Sequence, residues 1–196
     1  MYGLVNKAIE DLAISAGGEE TWQRIKDEAG VDVVAFVSMD AYDDDLTYRL
    51  VGAASRVLGM PAEEILKSFG RHWVLYTARE GYGPLLERAG SSLGEFLANL
   101  DALHTRVGLT MPALRPPSFQ VDVVDDATFL VRYYSERGGL SPMVVGLLEG
   151  VGKRFGHEVV VTHSAHRSEV LDHDEFLLRI VGEVSLEAVA EAVQPA

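Results

Sequence analysis

The chain has 196 residues, of which 47% are hydrophobic and 24% are charged, a composition typical of one globular domain. Its formal net charge of −13 argues against binding to nucleic acid or anionic membranes, because both require a basic surface. It contains no cysteine, which excludes disulfide bonds and thiolate metal ligands. No apolar run approaches the ~20 residues of a membrane span, and the N-terminus lacks the layout of a signal peptide, so we expect a cytoplasmic protein.

Two helices are predicted at the start of the chain. Apolar residues recur at helical spacing over residues 4–16. Gly17 and Gly18 end this helix, and a second helix follows over residues 19–29.

An acidic run precedes the next predicted helix, over residues 46–58. The run lacks the ligand spacing and the closing glutamate of a calcium-binding loop. Asp43 or Asp44 is instead expected to cap the helix, because a carboxylate there accepts from free backbone N–H groups and is favoured by the helix dipole. Pro61 then starts another predicted helix, over residues 62–76.

One domain is predicted over residues 1–183. A loose boundary near Gly59 divides it into a helical lobe of about residues 1–59 and a second lobe of about residues 60–183. The remaining residues, 184–196, form a tail with a short helical pattern and no assigned role.

A further helix is predicted over residues 92–104. Ser92 and Glu95 are spaced as a capping box, in which each side chain bonds a free backbone N–H. The apolar stripe of this helix continues through Leu100 to His104, so the imidazole is expected to face the core. A lone histidine on such a stripe is more often a core residue than a metal ligand, and this pattern alone leaves both interpretations open.

The second half of the chain is predicted to contain most of the strands. Pro112, Pro116 and Pro117 prevent a helix after His104. The later elements are a hairpin of residues 119–124 and 128–135, a helix over 143–155, and strands over 158–162 and 175–181. The predicted fold class is therefore α/β in the α+β sense, with helices packed on a four-stranded antiparallel sheet.

Tyr133, Ser135 and Arg137 alternate along the predicted second strand. On a strand these side chains project to one side in a row. Two hydroxyls and a guanidinium are suited to binding carboxylates, because Arg binds a carboxylate bidentately and the hydroxyls donate to the remaining lone pairs. The alternative interpretation is an ordinary solvated strand face.

A second group of polar residues surrounds the predicted turn between the last two strands. It consists of His163, His166, Asp172, His173 and Asp174. Imidazole and carboxylate both ligate zinc, but the spacing fits no standard zinc site. We therefore expect these loop side chains to be solvated.

Several motifs together resemble the haem nitric oxide/oxygen binding (H-NOX) family. They are Met-Tyr-Gly-Leu-Val-Asn at 1–6, Leu-Asp-x-Leu-His at 100–104, Pro-Pro-x-Phe at 116–119, Tyr-x-Ser-x-Arg at 133–137 and Gly-Leu-Leu-Glu-Gly at 146–150. The resemblance extends from Met1 to about Val181. It is to stand-alone bacterial sensor domains related to the haem domain of soluble guanylate cyclase. Some bacterial members carry a cysteine-ligated zinc site, which this chain lacks the cysteines to form.

The resemblance implies a non-covalent haem b between the helices and the sheet. His104 would be the proximal iron ligand, and Tyr133, Ser135 and Arg137 would bind the haem propionates. Pro117 would lie against the ring and help to hold it out of plane. Leu100 would also line the haem pocket.

The resemblance also places residues on the distal side of the haem. Trp73 and Met143 fall where oxygen-binding relatives have asparagine and tyrosine, and Ile9 falls near an N-terminal tryptophan of those relatives. With Val5 and Leu147 they give a mostly apolar pocket, which should favour NO and CO over O2 because O2 binding depends on a hydrogen-bond donor. Trp73 has an indole N–H, but packing is its expected role.

The function implied is a gas sensor and not an enzyme. In the family, NO binding releases the proximal histidine, which would free the helix of His104 and alter the surface seen by a partner. No kinase, Walker or cyclase motif follows, so we expect signalling in trans to a histidine kinase or a cyclic-di-nucleotide enzyme. The rival functions are an O2-binding protein, a peroxidase-type haem enzyme that would use His72, and a haem-free scaffold.

Overall fold

The computed structural model describes residues 1–110 and 114–185. Within these ranges, the side chains of residues 76–81 and 110 are not described. The predictions for Pro112 and for a short C-terminal helix therefore lie outside the described residues.

The chain separates into two compact units, Met1–Phe69 and Gly70–Ala196. The division falls inside the helix Ala62–His72, later than the boundary predicted near Gly59. Across the described ranges, no helix is both long enough and apolar enough to cross a membrane.

The first unit begins with two helices. Helix α1, Gly3–Ala29, leaves helical geometry at Gly17 and Gly18, which confirms the predicted break. Helix α2, Asp44–Leu58, follows Asp43, whose carboxylate accepts from a backbone N–H of the first turn at 3.1 Å. The structure thus selects Asp43 from the two predicted caps.

The predicted helix over residues 62–76 is wrong at its end. Helix α3, Ala62–His72, gives way to a π-helical turn, Trp73–Thr77, and helix α4, Ala78–Glu87, follows directly. A π turn is a short insertion into an α-helix that has no signature at the 3.6-residue period. The sequence pattern therefore predicted one continuous α-helix across the π turn.

The predicted helix over residues 92–104 is two helices. Helix α5, Leu93–Ala98, ends at Asn99, and helix α6, Leu100–Thr110, carries the histidine. The Asn99 side-chain amide donates to the carbonyl oxygen of Ala89 at 2.9 Å, and this bond accompanies the interruption. Leu100 and Leu103 of α6 are nevertheless buried in the same apolar cluster as the α5 residues, and His104 follows them half-buried.

The start of α5 has the predicted cap. The Ser92 hydroxyl accepts from the Glu95 N–H at 3.3 Å. The Glu95 carboxylate accepts from the backbone N–H of Ser91 at 2.9 Å and from its hydroxyl at 2.7 Å. These bonds lower the pKa of Glu95, because they favour the charged carboxylate.

Four antiparallel strands form one sheet, which confirms the predicted fold class. The strands are β1, Ser118–Asp125; β2, Thr128–Tyr134; β3, His157–Ala165; and β4, Asp174–Glu183. Their spatial order is β1-β2-β4-β3, and all three pairings are antiparallel. Helix α7, Ser141–Arg154, connects β2 to β3.

One face of the sheet forms the core of the second unit. The buried strand residues on this face are Phe119, Phe129, Val131, Tyr133, Phe176 and Leu178. Apolar side chains from α5, α6 and α7 complete the same cluster. Tyr133 lies on this face next to Phe119, with their ring centroids 5.4 Å apart.

Candidate functional site

His104 lies on α6 with its ring half-buried. Its Nδ1 lies 2.8 Å from the carbonyl oxygen of Leu100. A carbonyl oxygen only accepts, so Nδ1 carries the proton in this bond and Nε2 of the neutral ring carries the lone pair. Nε2 is therefore the atom of His104 that is able to ligate a metal.

The surroundings of His104 favour its neutral form. Burial lowers the pKa of His104, and this effect outweighs the Leu100 carbonyl and the Asp101 charge, which raise it. A metal ligates the unprotonated ring, so a lowered pKa keeps His104 available as a ligand at neutral pH.

Two residues near His104 were not assigned a role from the sequence. The ring centroid of Phe119 lies 5.1 Å from that of His104. Asp101 accepts from the Ser118 hydroxyl at 2.7 Å and from the Phe119 N–H at 3.1 Å, and the Ser118 bond is the main reason its pKa is lowered. Asp101 and Phe119 lie inside motifs named in the sequence analysis, but only the fold shows that their contact joins α6 to β1.

The residues predicted to bind carboxylates are close together, but not as a row on a strand. Strand β2 ends at Tyr134, so Ser135 and Arg137 lie beyond it, and the predicted alternation does not apply to them. Ser135 and Arg137 are joined instead by a hydrogen bond. The Ser135 hydroxyl accepts from the Arg137 N–H at 3.1 Å.

The environment of this group is not that of a solvated strand face. Tyr133 is only 5% exposed, and burial is the main cause of its raised pKa. Its ring centroid lies 5.4 Å from that of Phe119, which in turn contacts His104. Arg137 is half-buried, and its guanidinium donates to the Arg115 carbonyl oxygen at 2.8 Å.

The other two residues predicted to lie on the His104 side of the haem are apolar. Leu100 is buried and supplies the carbonyl that orients His104. Pro117 is half-buried and directly precedes β1.

The predicted distal residues of the second unit lie on the π turn and on α7. Trp73 and Leu147 are partly buried and pack against the core, and Met143 is half-buried in the first turn of α7. The chain comes close to α7 at Gly70, where an added Cβ would lie 2.2 Å from the carbonyl oxygen of Met143.

The remaining two predicted residues, Val5 and Ile9, lie on α1 in the first unit. Ile9 is buried and Val5 is half-buried. Their contact with a cofactor stays a prediction, as do the assignments of the other pocket residues.

The expectation that the loop histidines are solvated is wrong for two of them. His163 is half-buried and His173 is buried, whereas His166 is exposed. The ring of His163 stacks on Phe176 and that of His173 contacts Tyr134, which the sequence spacing does not reveal. His173 Nδ1 lies 2.7 Å from the Asp172 carboxylate, and its Nε2 lies 3.3 Å from that of Glu175.

Replacing His173 with glutamine is expected to destabilise the protein more at about pH 6 than at about pH 9. The bond to Asp172 is the main cause of the raised pKa of His173, with Glu175 contributing. Because the pKa of His173 is higher in the folded protein than the unfolded value of about 6.5, its protonated form stabilises the fold fully below about pH 6.5. This stabilisation is lost as the pH rises through the pKa of His173 in the folded protein. Urea unfolding at both pH values would measure the difference, and an equal loss at both would contradict it.

The fold and the site together define an α+β domain with a neutral histidine and a group suited to carboxylates at one end of its sheet. A neutral imidazole lies beside two aromatic rings, and hydroxyl and guanidinium groups suited to carboxylates lie at the same end of the sheet. A family model described as Haem-NO-binding matches residues 2–163. The chain therefore belongs to the Haem-NO-binding family, whose members bind haem iron.

Curated relatives of the chain are soluble guanylate cyclases. It is 34% identical over 179 residues to soluble guanylate cyclase gcy-35 of Caenorhabditis elegans, covering 88% of this chain and 26% of that protein. It is 41% identical over 93 residues to guanylate cyclase soluble subunit beta-2 of Rattus norvegicus, covering 47% of this chain and 14% of that protein. The chain thus spans only about a quarter or less of the length of these relatives.

Solved H-NOX structures share the fold. A mutant H-NOX protein from S. oneidensis in the Fe(II) ligation state superimposes with a TM-score of 0.85 and 18% identity, covering 95% of this chain and 99% of that one. An H-NOX protein of the same source in the Fe(II)NO state gives a TM-score of 0.83 and 17% identity, covering 93% of this chain and 100% of that one. The H-NOX resemblance, the fold class and the haem cofactor are thereby confirmed.

Proposed function

We propose that the chain is a haem-based gas sensor that binds NO and CO, with His104 as the proximal iron ligand. The observation that carries the proposal is the Nδ1–Leu100 hydrogen bond, because it leaves the Nε2 lone pair of a neutral imidazole for iron. Ferrous haem b, when bound, supplies one open coordination position for a diatomic gas.

The propionates of the haem are proposed to bind Tyr133, Ser135 and Arg137. The donor set fits, because a guanidinium and two hydroxyls match the lone pairs of a carboxylate. The bond from the Arg137 N–H to the Ser135 hydroxyl keeps these two residues together before a carboxylate binds. Pro117 and Leu100 would contact the ring on the His104 side.

The distal residues support selectivity against O2. An oxygen-selective pocket places a hydrogen-bond donor at the ligand, because such a donor stabilises developing negative charge most strongly in a dry site. Met143 and Leu147 offer no such donor, and Trp73 packs against the core. Binding of NO and CO depends much less on a hydrogen-bond donor, so these three distal residues favour NO and CO over O2.

Release of His104 is proposed to start the signal. The residues that would transmit it belong to α6 and β1, since Asp101 bonds both Ser118 and the Phe119 N–H. A shift of α6 would therefore move the first strand of the sheet. A protein partner would then detect the change in surface.

The partner is proposed to be a signalling enzyme acting in trans, either a histidine kinase or a cyclic-di-nucleotide enzyme. The names of the curated relatives add a third class, guanylate cyclase. In those relatives most of the protein lies outside the region that this chain matches.

Spectra of the reduced protein under argon, and then with air, CO and NO in separate cuvettes, test the proposal. We expect a haem Soret band that is unchanged by air and that shifts with CO and with NO. A stable complex in air would make the protein an oxygen binder, and the absence of any haem band after adding haemin would reject the sensor function. Peroxide turnover that depends on His72 would favour the enzyme alternative.

A further inference from the structure

A second guanidinium lies beside the residues that are proposed to bind the haem propionates. Arg167, in the loop between β3 and β4, donates from its guanidinium to the backbone carbonyl oxygen of Ser135. An added Cβ on Gly138 would lie 3.8 Å from Nη2 of the same guanidinium. The Arg167 side chain therefore lies against residues 135–138, the segment that contains Arg137.

We propose that Arg167 binds a haem propionate and is a binding residue additional to Tyr133, Ser135 and Arg137. This inference rests on the proposed haem site and adds to it a residue from outside the Tyr-x-Ser-x-Arg motif. Haem b has a pair of propionate carboxylates, whereas the motif has a single guanidinium. With Arg167, each carboxylate has a positive partner of matching geometry.

The register of the sheet brings Arg167 next to the motif. Tyr133 on β2 is paired directly with Asp174 on β4. The Asp174 carboxylate accepts from the backbone N–H of Arg167 at 3.1 Å. Within the same loop, the Ser168 N–H donates to the Leu171 carbonyl oxygen at 2.8 Å. These bonds hold the backbone of Arg167 beside the end of β2.

The guanidinium of Arg167 is suited to receiving an anion. It bonds a carbonyl oxygen, which is neutral, and a guanidinium has further N–H donors to offer to a carboxylate. Arg115 differs in this respect. Its carbonyl oxygen accepts from Arg137, so it lies at the same end of the sheet, but its guanidinium is paired with the Glu136 carboxylate at 3.2 Å.

The positive charge of Arg167 acts on the Tyr133 hydroxyl. Burial raises the pKa of Tyr133, and the charges of Arg137 and Arg167 both oppose that rise. Both charges therefore act where a propionate is proposed to bind. Arg137 is half-buried and Arg167 is exposed, so the group extends from the core to the surface. Propionates bound there would keep contact with water, which lowers the cost of holding their charge.

The rival interpretation is that Arg167 only fastens its loop to the end of β2. Haem dissociation from the full chain separates the two roles, because a fastening role does not depend on the charge of the propionates. The rate of haem transfer to excess apomyoglobin is measured for haem b and for its dimethyl ester, whose propionates carry no charge. Circular dichroism checks that each variant is folded.

Arg167→Gln is expected to lose haem b about three- to tenfold faster than the unmodified chain and to lose the dimethyl ester at an unchanged rate. Arg167→Lys should lie between them, since lysine keeps the charge but not the bidentate geometry. Arg115→Gln is the matched control. It makes the same change at a neighbouring arginine that already has a carboxylate partner, and its rates should equal those of the unmodified chain.

Equal acceleration for both forms of haem in Arg167→Gln, or an unchanged rate for haem b, would overturn the inference. Resonance Raman spectra give a second readout: the propionate bending band of bound haem b should shift in Arg167→Gln and not in Arg115→Gln, and an unshifted band would also overturn it. If the unmodified chain binds haem and responds to NO while these tests fail, this inference alone falls. Absence of a haem band in the unmodified chain would reject the proposed function as well.

Discussion

Substitution of His104 by alanine is expected to abolish stable haem binding, and added imidazole is expected to restore it. His104 is the proposed iron ligand, and its Nδ1 bond to Leu100 directs the Nε2 lone pair away from the helix backbone. Loss of an outer-shell partner costs about 10–100-fold in metal affinity, so loss of the ligand itself should cost at least about 100-fold. Haem content, read from the Soret band after purification, measures the effect.

His72→Gln is the matched control for this experiment. It removes an imidazole from the end of α3 without touching the proposed iron ligand. The control should keep its haem. If His104→Ala also kept its haem in the absence of imidazole, another residue would be the ligand and the proposed site would be wrong.

Substitution of Gly70 by alanine is expected to lower the free energy of unfolding by about 3 kcal/mol, at the upper end of the range for overpacked sites. An added Cβ would lie 2.2 Å from the carbonyl oxygen of Met143 and 2.7 Å from the backbone nitrogen of Leu147. Both are main-chain atoms, so no side-chain rotation relieves the clash. The end of α3 would have to move away from α7, and urea unfolding measures the cost.

Gly94→Ala is the matched control. Gly94 lies in α5, and its nearest neighbours for an added Cβ are ring atoms of Phe129 at 3.5 and 3.7 Å, an ordinary contact. Alanine favours helix over glycine by up to about 1 kcal/mol, so this variant should be neutral or slightly more stable. Equal stabilities of the two variants would show that α7 tolerates a side chain at Gly70.

The local elements of the fold followed from the sequence because their signals are local. Gly17 and Gly18 interrupt α1, Asp43 caps α2, and Ser92 caps α5, each through backbone groups a few residues away. Period-two alternation likewise predicted the strands of the sheet, and the quoted motifs identified the family.

The predictions that were wrong concern features that hydrophobic periodicity does not report. The π turn after His72 has no period of its own, and the interruption at Asn99 accompanies a side-chain bond to Ala89. Ser135 and Arg137 lie past the end of β2, and a hydrogen bond rather than strand alternation joins them.

The sequence by itself determined the fold class, the haem-binding family and the candidate ligand His104. Only the tertiary structure decided which ring nitrogen of His104 is available, that Asp101 joins α6 to β1, and that His163, His166 and Asp174 lie close together. The physical reason is that periodicity and capping act over one or two turns. Hydrogen-bond partners and metal geometry depend instead on residues that meet only when helices and strands have packed.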